Sequence, residues 1–264
     1  MNSILFDFGI IQIKWYSFLI MIGIIIAYFL VTREAKKKGF EKEKVIDILF
    51  YTILIGMLGA RIYYVLFNLE YYGTNPLEIF KVWNGGLAIH GGIITAFIFL
   101  YFYSKKKNYN LFLLVDMMVP GLMIAQAIGR WGNFFNQEAF GRVVSKIFLQ
   151  GLHLPKFVIE GMYINGLYRE PTFLYESLWN IIGFILIIII RKNKKLKTGM
   201  ITGLYFIWYG IGRCIIESFR ADSLMLGSLK IAQLVSILGI ILGIAIIIIS
   251  NKKKFLYIED KVEK

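Results

Sequence analysis

Seven apolar runs, several approaching the ~20 residues that a helix needs to cross a bilayer, limit most strongly what this chain can fold into. A soluble domain needs a polar surface, and 58% of these 264 residues are hydrophobic, with a mean hydropathy of +0.64. The backbone of such a chain must close its hydrogen bonds within the membrane, which favours helices. The expected spans lie near 15–31, 45–67, 87–103, 111–132, 172–190, 199–218 and 230–250. The fourth carries Asp116, Pro120 and Gly121, which are tolerated where neighbouring elements satisfy freed backbone groups. The first run lacks a basic start and a small-residue cleavage site, so it is expected to stay as a membrane helix.

The formal net charge of +13 would suggest nucleic acid if the protein were soluble. Here the positive charge falls in clusters between apolar runs, which reads as topology and argues against a nucleic-acid partner. Alternate connections hold 19 lysines and arginines on one side, including Lys36 to Lys38, Lys105 to Lys107 and Lys252 to Lys254, against 8 on the other. The richer side is expected to be cytoplasmic, which places the amino terminus outside and the carboxyl terminus inside. The expected fold class is therefore all-α. It is a polytopic membrane protein of seven transmembrane helices forming a single domain over 1–264, with 137–171 as an extracytoplasmic cap. Gly, aromatic and apolar residues dominate that segment, which lacks the polar bias of disorder. No internal repeat is evident.

The same topology brings the costly residues to one depth. Arg61, Arg130 and Arg213 fall toward the outer side, as do His90, Tyr175, Glu176 and Glu217. An arginine at mid-bilayer costs about 2.5–3.5 kcal/mol on insertion scales, and such residues face an interior or a pathway. In "YGIGRCIIESFR", Tyr209, Arg213 and Glu217 repeat every four residues and form one helical stripe. A local Arg–Glu pair and a cavity-facing arginine are both open readings of that stripe. Asp116 lies well below this cluster and is expected to have a structural partner. Cys214, the single cysteine, excludes an intrachain disulfide and reads as a small packing residue. Two histidines and one cysteine without tight spacing do not build a metal shell, so no metal is expected, and no phosphate-cradling glycine loop is present.

"GRWGNFFNQEAFG", from Gly129 to Gly141, resembles the signature of the prolipoprotein diacylglyceryl transferase family. The resemblance continues through "KWYSFLIMIG", "GARIYYVLF", "HGG", "REPTFLYES" and "YGIGRCIIESFR", and so spans most of the chain. It implies transfer of a diacylglyceryl group from phosphatidylglycerol to the lipobox cysteine of a preprolipoprotein signal peptide, without a cofactor. The products would be a thioether and glycerol phosphate. The site would open to the extracytoplasmic side of a bacterial plasma membrane and be bathed by membrane lipids. In this frame Arg130 and Arg213 would hold the phosphate, because a guanidinium fork matches phosphate oxygens and keeps its charge in a dry site. His90 would assist proton transfer, Asn133 would orient the headgroup, and Glu138 and Glu217 would align arginines or glycerol hydroxyls. Tyr16 and Tyr209 would line the lipid pocket, and Gly141 is implied as important. For Arg61, helix packing is the leading explanation, and residues 142–169 receive no catalytic role. Without the signature, a lipid or anion transporter with an arginine-lined outer cavity would fit as well, and a membrane scaffold would be a third reading.

Overall fold

The computed structural model describes residues 3–9, 12–82, 85–252 and 256–259. The helices, in chain order, are α1 (Trp15–Lys37), α2 (Lys42–Leu66), α3 (Leu69–Thr74), α4 (Ile89–Lys106) and α5 (Leu111–Asn136). They continue with α6 (Lys146–Gly151), α7 (Lys156–Gly161), α8 (Thr172–Ile190), α9 (Met200–Phe219) and α10 (Ile231–Lys252). Each of the seven expected apolar runs is thus a long helix. Five of them, α1, α2, α5, α8 and α10, are long and apolar enough to cross a membrane. The other two are diluted by polar residues: His90, Lys105 and Lys106 in the 18 residues of α4, Arg213 and Glu217 in the 20 of α9. The chain is a multi-pass membrane protein.

The fold is mostly helical rather than purely so. Among the described residues three antiparallel strand pairs accompany the helices: β1 (Ile4–Asp7) with β2 (Gln12–Lys14) ahead of α1, β3 (Tyr163–Ile164) with β4 (Leu167–Tyr168) between α7 and α8, and β5 (Met225–Leu226) with β6 (Leu229–Lys230) between α9 and α10. They are too short or too exposed to register as strands by hydropathy. The β3–β4 turn is Asn165-Gly166, both at positive φ, the pair that a two-residue hairpin demands.

The chain forms two compact units, one of residues 3–31 with 115–259 and the other of residues 32–114. In the first unit, small residues set the helix spacing. A Cβ on Gly23 would lie 3.1 Å from the Ala125 Cα, and one on Gly121 would lie 3.0 Å from the Ala27 Cα, so α1 and α5 touch backbone to backbone. Gly203 and Gly243 do the same for α9 and α10: a Cβ on either would come within 2.7 Å of the other's carbonyl oxygen. Helices α8 and α9 are tied by Trp179 and Trp208, whose rings stack at 4.3 Å. Each indole N–H donates to the other tryptophan's carbonyl, at 2.9 and 3.0 Å.

Asp116 finds the structural partner expected of it. Its carboxylate, fully buried, accepts from the Gly199 N–H at 2.6 Å, the Thr202 N–H at 2.8 Å and the Thr202 hydroxyl at 2.5 Å. Gly199 has no side chain with which to cap α9, so a carboxylate from α5 satisfies the orphan donors instead. Pro120, inside α5, does not break the helix.

The segment 137–171 is folded. It carries α6, α7 and the β3–β4 hairpin around an apolar cluster in which Leu149, Val158, Ile159, Met162 and Ile164 join Phe134 of α5 and Phe173 of α8. Single antiparallel bridges link Gly141 to Arg220 and Val143 to Arg169.

In the second unit α2 and α4 pack through Gly56, Gly59, Gly91 and Gly92; a Cβ on Gly91 would meet the Gly59 carbonyl oxygen at 2.5 Å. Arg61 sits 6% exposed and holds the connection that follows α2. Its guanidinium donates to the carbonyls of Ile79 at 2.9 Å, Gly85 at 2.7 Å, Gly86 at 2.9 Å and Glu78 at 2.5 Å, and it lies over the Tyr72 ring. This is a loop-organising role, broader than the helix packing expected of it.

Candidate active site

The signature ends in an unusual turn. After Asn136 closes α5, Gln137 and Ala139 adopt left-handed conformations with φ of 53° and 57°. For alanine that costs about 1–2 kcal/mol, so neighbours must fix it. They do: the Ala139 N–H donates to Asp222 Oδ2 at 2.9 Å, and the Thr172 hydroxyl donates to the Ala139 carbonyl at 2.5 Å. Two residues on, the Gly141 N–H donates to the Glu170 carbonyl at 2.9 Å, and a Cβ there would lie 2.7 Å from the Glu170 Cβ. Glycine is required by that approach. The turn folds Glu138 back on α5, where its carboxylate accepts from the amides of Asn133 at 2.9 Å and Asn136 at 3.3 Å.

One helical turn back in α5, Arg130 donates through Nη1 to Asn133 Oδ1 at 3.2 Å and places Nη2 2.7 Å from Glu176 Oε2. The second oxygen of that carboxylate accepts from Arg213 Nη1, also at 2.7 Å. Glu176, 4% exposed on α8, is therefore shared by Arg130 from α5 and Arg213 from α9. Arg213 reaches on to Glu217, one turn along the same face, with Nη2 2.7 Å from Oε2. Glu217 is 1% exposed, and its Oε2 is held by this ion pair rather than by an aligned hydrogen bond. Arg220 Nη1 lies 3.9 Å from the same oxygen and its Nη2 3.0 Å from Asp222 Oδ1. Burial opposes the charge on Arg220. The bond to Asp222, with the fields of Asp222, Glu217 and Glu176, outweighs it and raises the guanidinium pKa above its ordinary value.

The stripe on α9 lines a small recess, in which Tyr209 and Arg213 face Glu176 and Asn180 beside Trp179 and Gly212. Gly212 leaves room for the Trp179 indole, whose Nε1 would lie 2.1 Å from a Cβ there. Tyr209 stacks on Tyr205 with centroids 5.8 Å apart. Tyr16 packs its ring over Gly132, where a Cβ would approach it to 2.6 Å.

Of the residues singled out in the sequence, Arg130, Arg213, Glu217, Asn133 and Glu138 form one connected network, with Tyr209 beside it. Gly141 and Tyr16 are close-packed against its supporting elements. His90 opens α4 in the other compact unit, exposed, with no hydrogen-bond partner among the described residues. The glycines that follow it are filled by α2. Sequence reasoning gave Glu176 a depth but no role, and counted Arg220 only among the eight basic residues of the poorer side. Their position in the ion-pair chain depends on helices far apart in sequence. It also gave no role to Arg142, whose Nε donates to the buried Glu170 at 2.9 Å, while the Tyr175 hydroxyl donates to the same carboxylate at 3.3 Å. A signal for Glu176 and Glu170 was present: carboxylates flanking the start of an apolar helix need cationic or hydroxyl partners.

A model of the prolipoprotein diacylglyceryl transferase family matches residues 3–249. The chain belongs to this family. It is 50% identical over 248 residues to the phosphatidylglycerol–prolipoprotein diacylglyceryl transferase of Staphylococcus aureus strain JH9, covering 94% of this chain and 88% of the relative. The proteins of the same name from strains Newman and N315 match to the same extent. The matched region holds every member of the ion-pair chain, and His90 besides, so the family relation extends over the whole candidate site.

Proposed function

We propose that this transferase moves the diacylglyceryl group of phosphatidylglycerol to the lipobox cysteine of a preprolipoprotein, the first step of lipoprotein maturation. The observation that carries the reading at the level of residues is the convergence of Arg130 and Arg213 on one buried carboxylate, in a chain of this family. The cysteine sulfur forms a bond to the glyceryl carbon as that carbon's bond to the phosphate oxygen breaks. The electron pair stays on the oxygen, and the thiol proton leaves. A phosphodiester with one negative charge becomes a monoester with two, and guanidinium groups stabilise the charge as it grows. Glu176 holds both forks in fixed directions before substrate arrives, which lowers the reorganisation needed in the reaction.

Arg130 and Arg213 bind the phosphate, and Asn133, itself held by Glu138, orients the headgroup. Glu217, paired with Arg213, aligns that arginine or a glycerol hydroxyl. Tyr209 and Tyr16 line the space for the lipid, and Gly141 permits the turn that presents Glu138. The thiol, with an ordinary pKa of about 8.5, must lose its proton to react, and His90 takes that role by resemblance. The whole chain acts as one membrane domain with 137–171 as its outer cap. Seven crossings, an outer amino terminus and an extracytoplasmic site in a bacterial plasma membrane are supported by the lysine and arginine asymmetry.

The test uses purified protein, phosphatidylglycerol and a lipobox peptide, read by mass spectrometry. The peptide is expected to gain a diacylglyceryl mass on its cysteine. Lipid movement without a covalent product would replace this reading with a transporter.

A further inference from the structure

We infer that Glu176 is the internal counter-charge of the arginine cluster, keeping the site electrically neutral so that it accepts a singly charged phosphodiester and releases the doubly charged monoester. This rests on the transferase reading above. Arg130 and Arg213 share Glu176, Arg213 and Arg220 flank Glu217, and Arg220 also pairs with Asp222. The chain of contacts thus joins three guanidinium groups to three carboxylates. Two further charges adjoin it, and they too are of opposite sign. The Lys230 ammonium donates to the carbonyls of Glu217 at 2.6 Å and Arg220 at 3.0 Å, and Glu138 is tied to Asn133.

Phosphate-binding arginines usually offer surplus positive charge. Such a surplus would favour the product over the donor here, because the reaction adds one negative charge to the phosphate. Tight product binding slows turnover. With every guanidinium already matched, the cluster has no net positive charge with which to hold the released dianion, and the forks stabilise the developing charge through directed N–H donors alone. Glu176 sits 2.7 Å from both arginines that would hold the phosphate, so its repulsion acts most strongly on the extra charge. Glu176 is in this sense a positioning residue, acting through the two arginines.

The experiment compares two soluble inhibitors of transfer by the full-length protein: glycerophosphoglycerol, a monoanion, and glycerol phosphate, a dianion at pH 8. The wild type is expected to bind the monoanion at least as well as the dianion. Glu176→Gln keeps the shape and removes the charge. It should lower the Ki for glycerol phosphate by about tenfold or more, with a smaller change for glycerophosphoglycerol, and reduce kcat more than kcat/KM. Glu176→Asp keeps the charge and should keep the wild-type order of the two inhibitors. A wild type that prefers the dianion by about tenfold would overturn the inference, and that measurement needs no variant. So would a folded Glu176→Gln protein with an unchanged ratio of the two constants, or an Asp variant that behaves like the Gln one. Absence of any transfer by the wild type would strike the functional reading instead, whereas transfer with the wrong inhibitor order would strike only the counter-charge.

Discussion

Arg130 divides its guanidinium between two directions, Asn133 through Nη1 and Glu176 through Nη2. A lysine at this position could supply the charge but not the planar fork, so it would hold at most one of those partners in line. Arg130→Lys is expected to reduce transfer by about 100-fold or more, the scale seen when a preorganised donor to developing charge is lost. Full activity in that variant would refute the bidentate role. The His90 assignment has a different signature. His90→Asn should lose activity around neutral pH and regain part of it as alkaline conditions ionise the acceptor thiol directly, which a pH–rate profile reads. A profile identical to wild type would remove His90 from proton transfer. At this scale the sequence made Arg130, Asn133, Glu138, Arg213 and Glu217 legible, since polar residues in an apolar chain are conspicuous. It left Glu176 without a role, because a carboxylate's partners cannot be read from its own neighbours in sequence.

Helix α9 shows how an element depends on another for its ends. Its N-terminal donors are satisfied by Asp116 of α5, and its C-terminal carbonyls by the Lys230 ammonium from β6. Asp116→Ala would strip three hydrogen bonds from a fully buried terminus and is expected to cost about 2 kcal/mol or more. The measurement is reversible unfolding in detergent, where Asp116→Asn, which keeps one acceptor, should fall between. A wild-type midpoint for the alanine variant would mean that the cap contributes nothing. The apolar runs made each long helix legible. Helix α9, expected from the sequence as a span, is not among the five helices apolar enough to cross a membrane, because Arg213 and Glu217 lower its apolar character. Arg61 was legible as a buried charge, but its four carbonyl partners lie in a connection whose path no periodicity encodes.

For the whole molecule, the orientation inferred from charge can be checked directly. In a Cys214→Ser background, a cysteine at Asn193, between α8 and α9, should react with membrane-impermeant reagents only from the cytoplasmic side. One at Gln150, in the 137–171 segment, should react only from outside. The opposite pattern would invert the topology and place the arginine cluster at the wrong leaflet. What the sequence determined by itself was the medium, the helices and the residue types of the site, because burying charge or open backbone in lipid is costly enough to leave a mark in composition. Only the tertiary structure decided which charges pair. Arg130, Glu176 and Arg213 come from three helices, and a carboxylate within 2.7 Å of two guanidinium groups is a product of how those helices pack. Glycines at the contacts set that spacing, and no local pattern in the chain records the distance they allow.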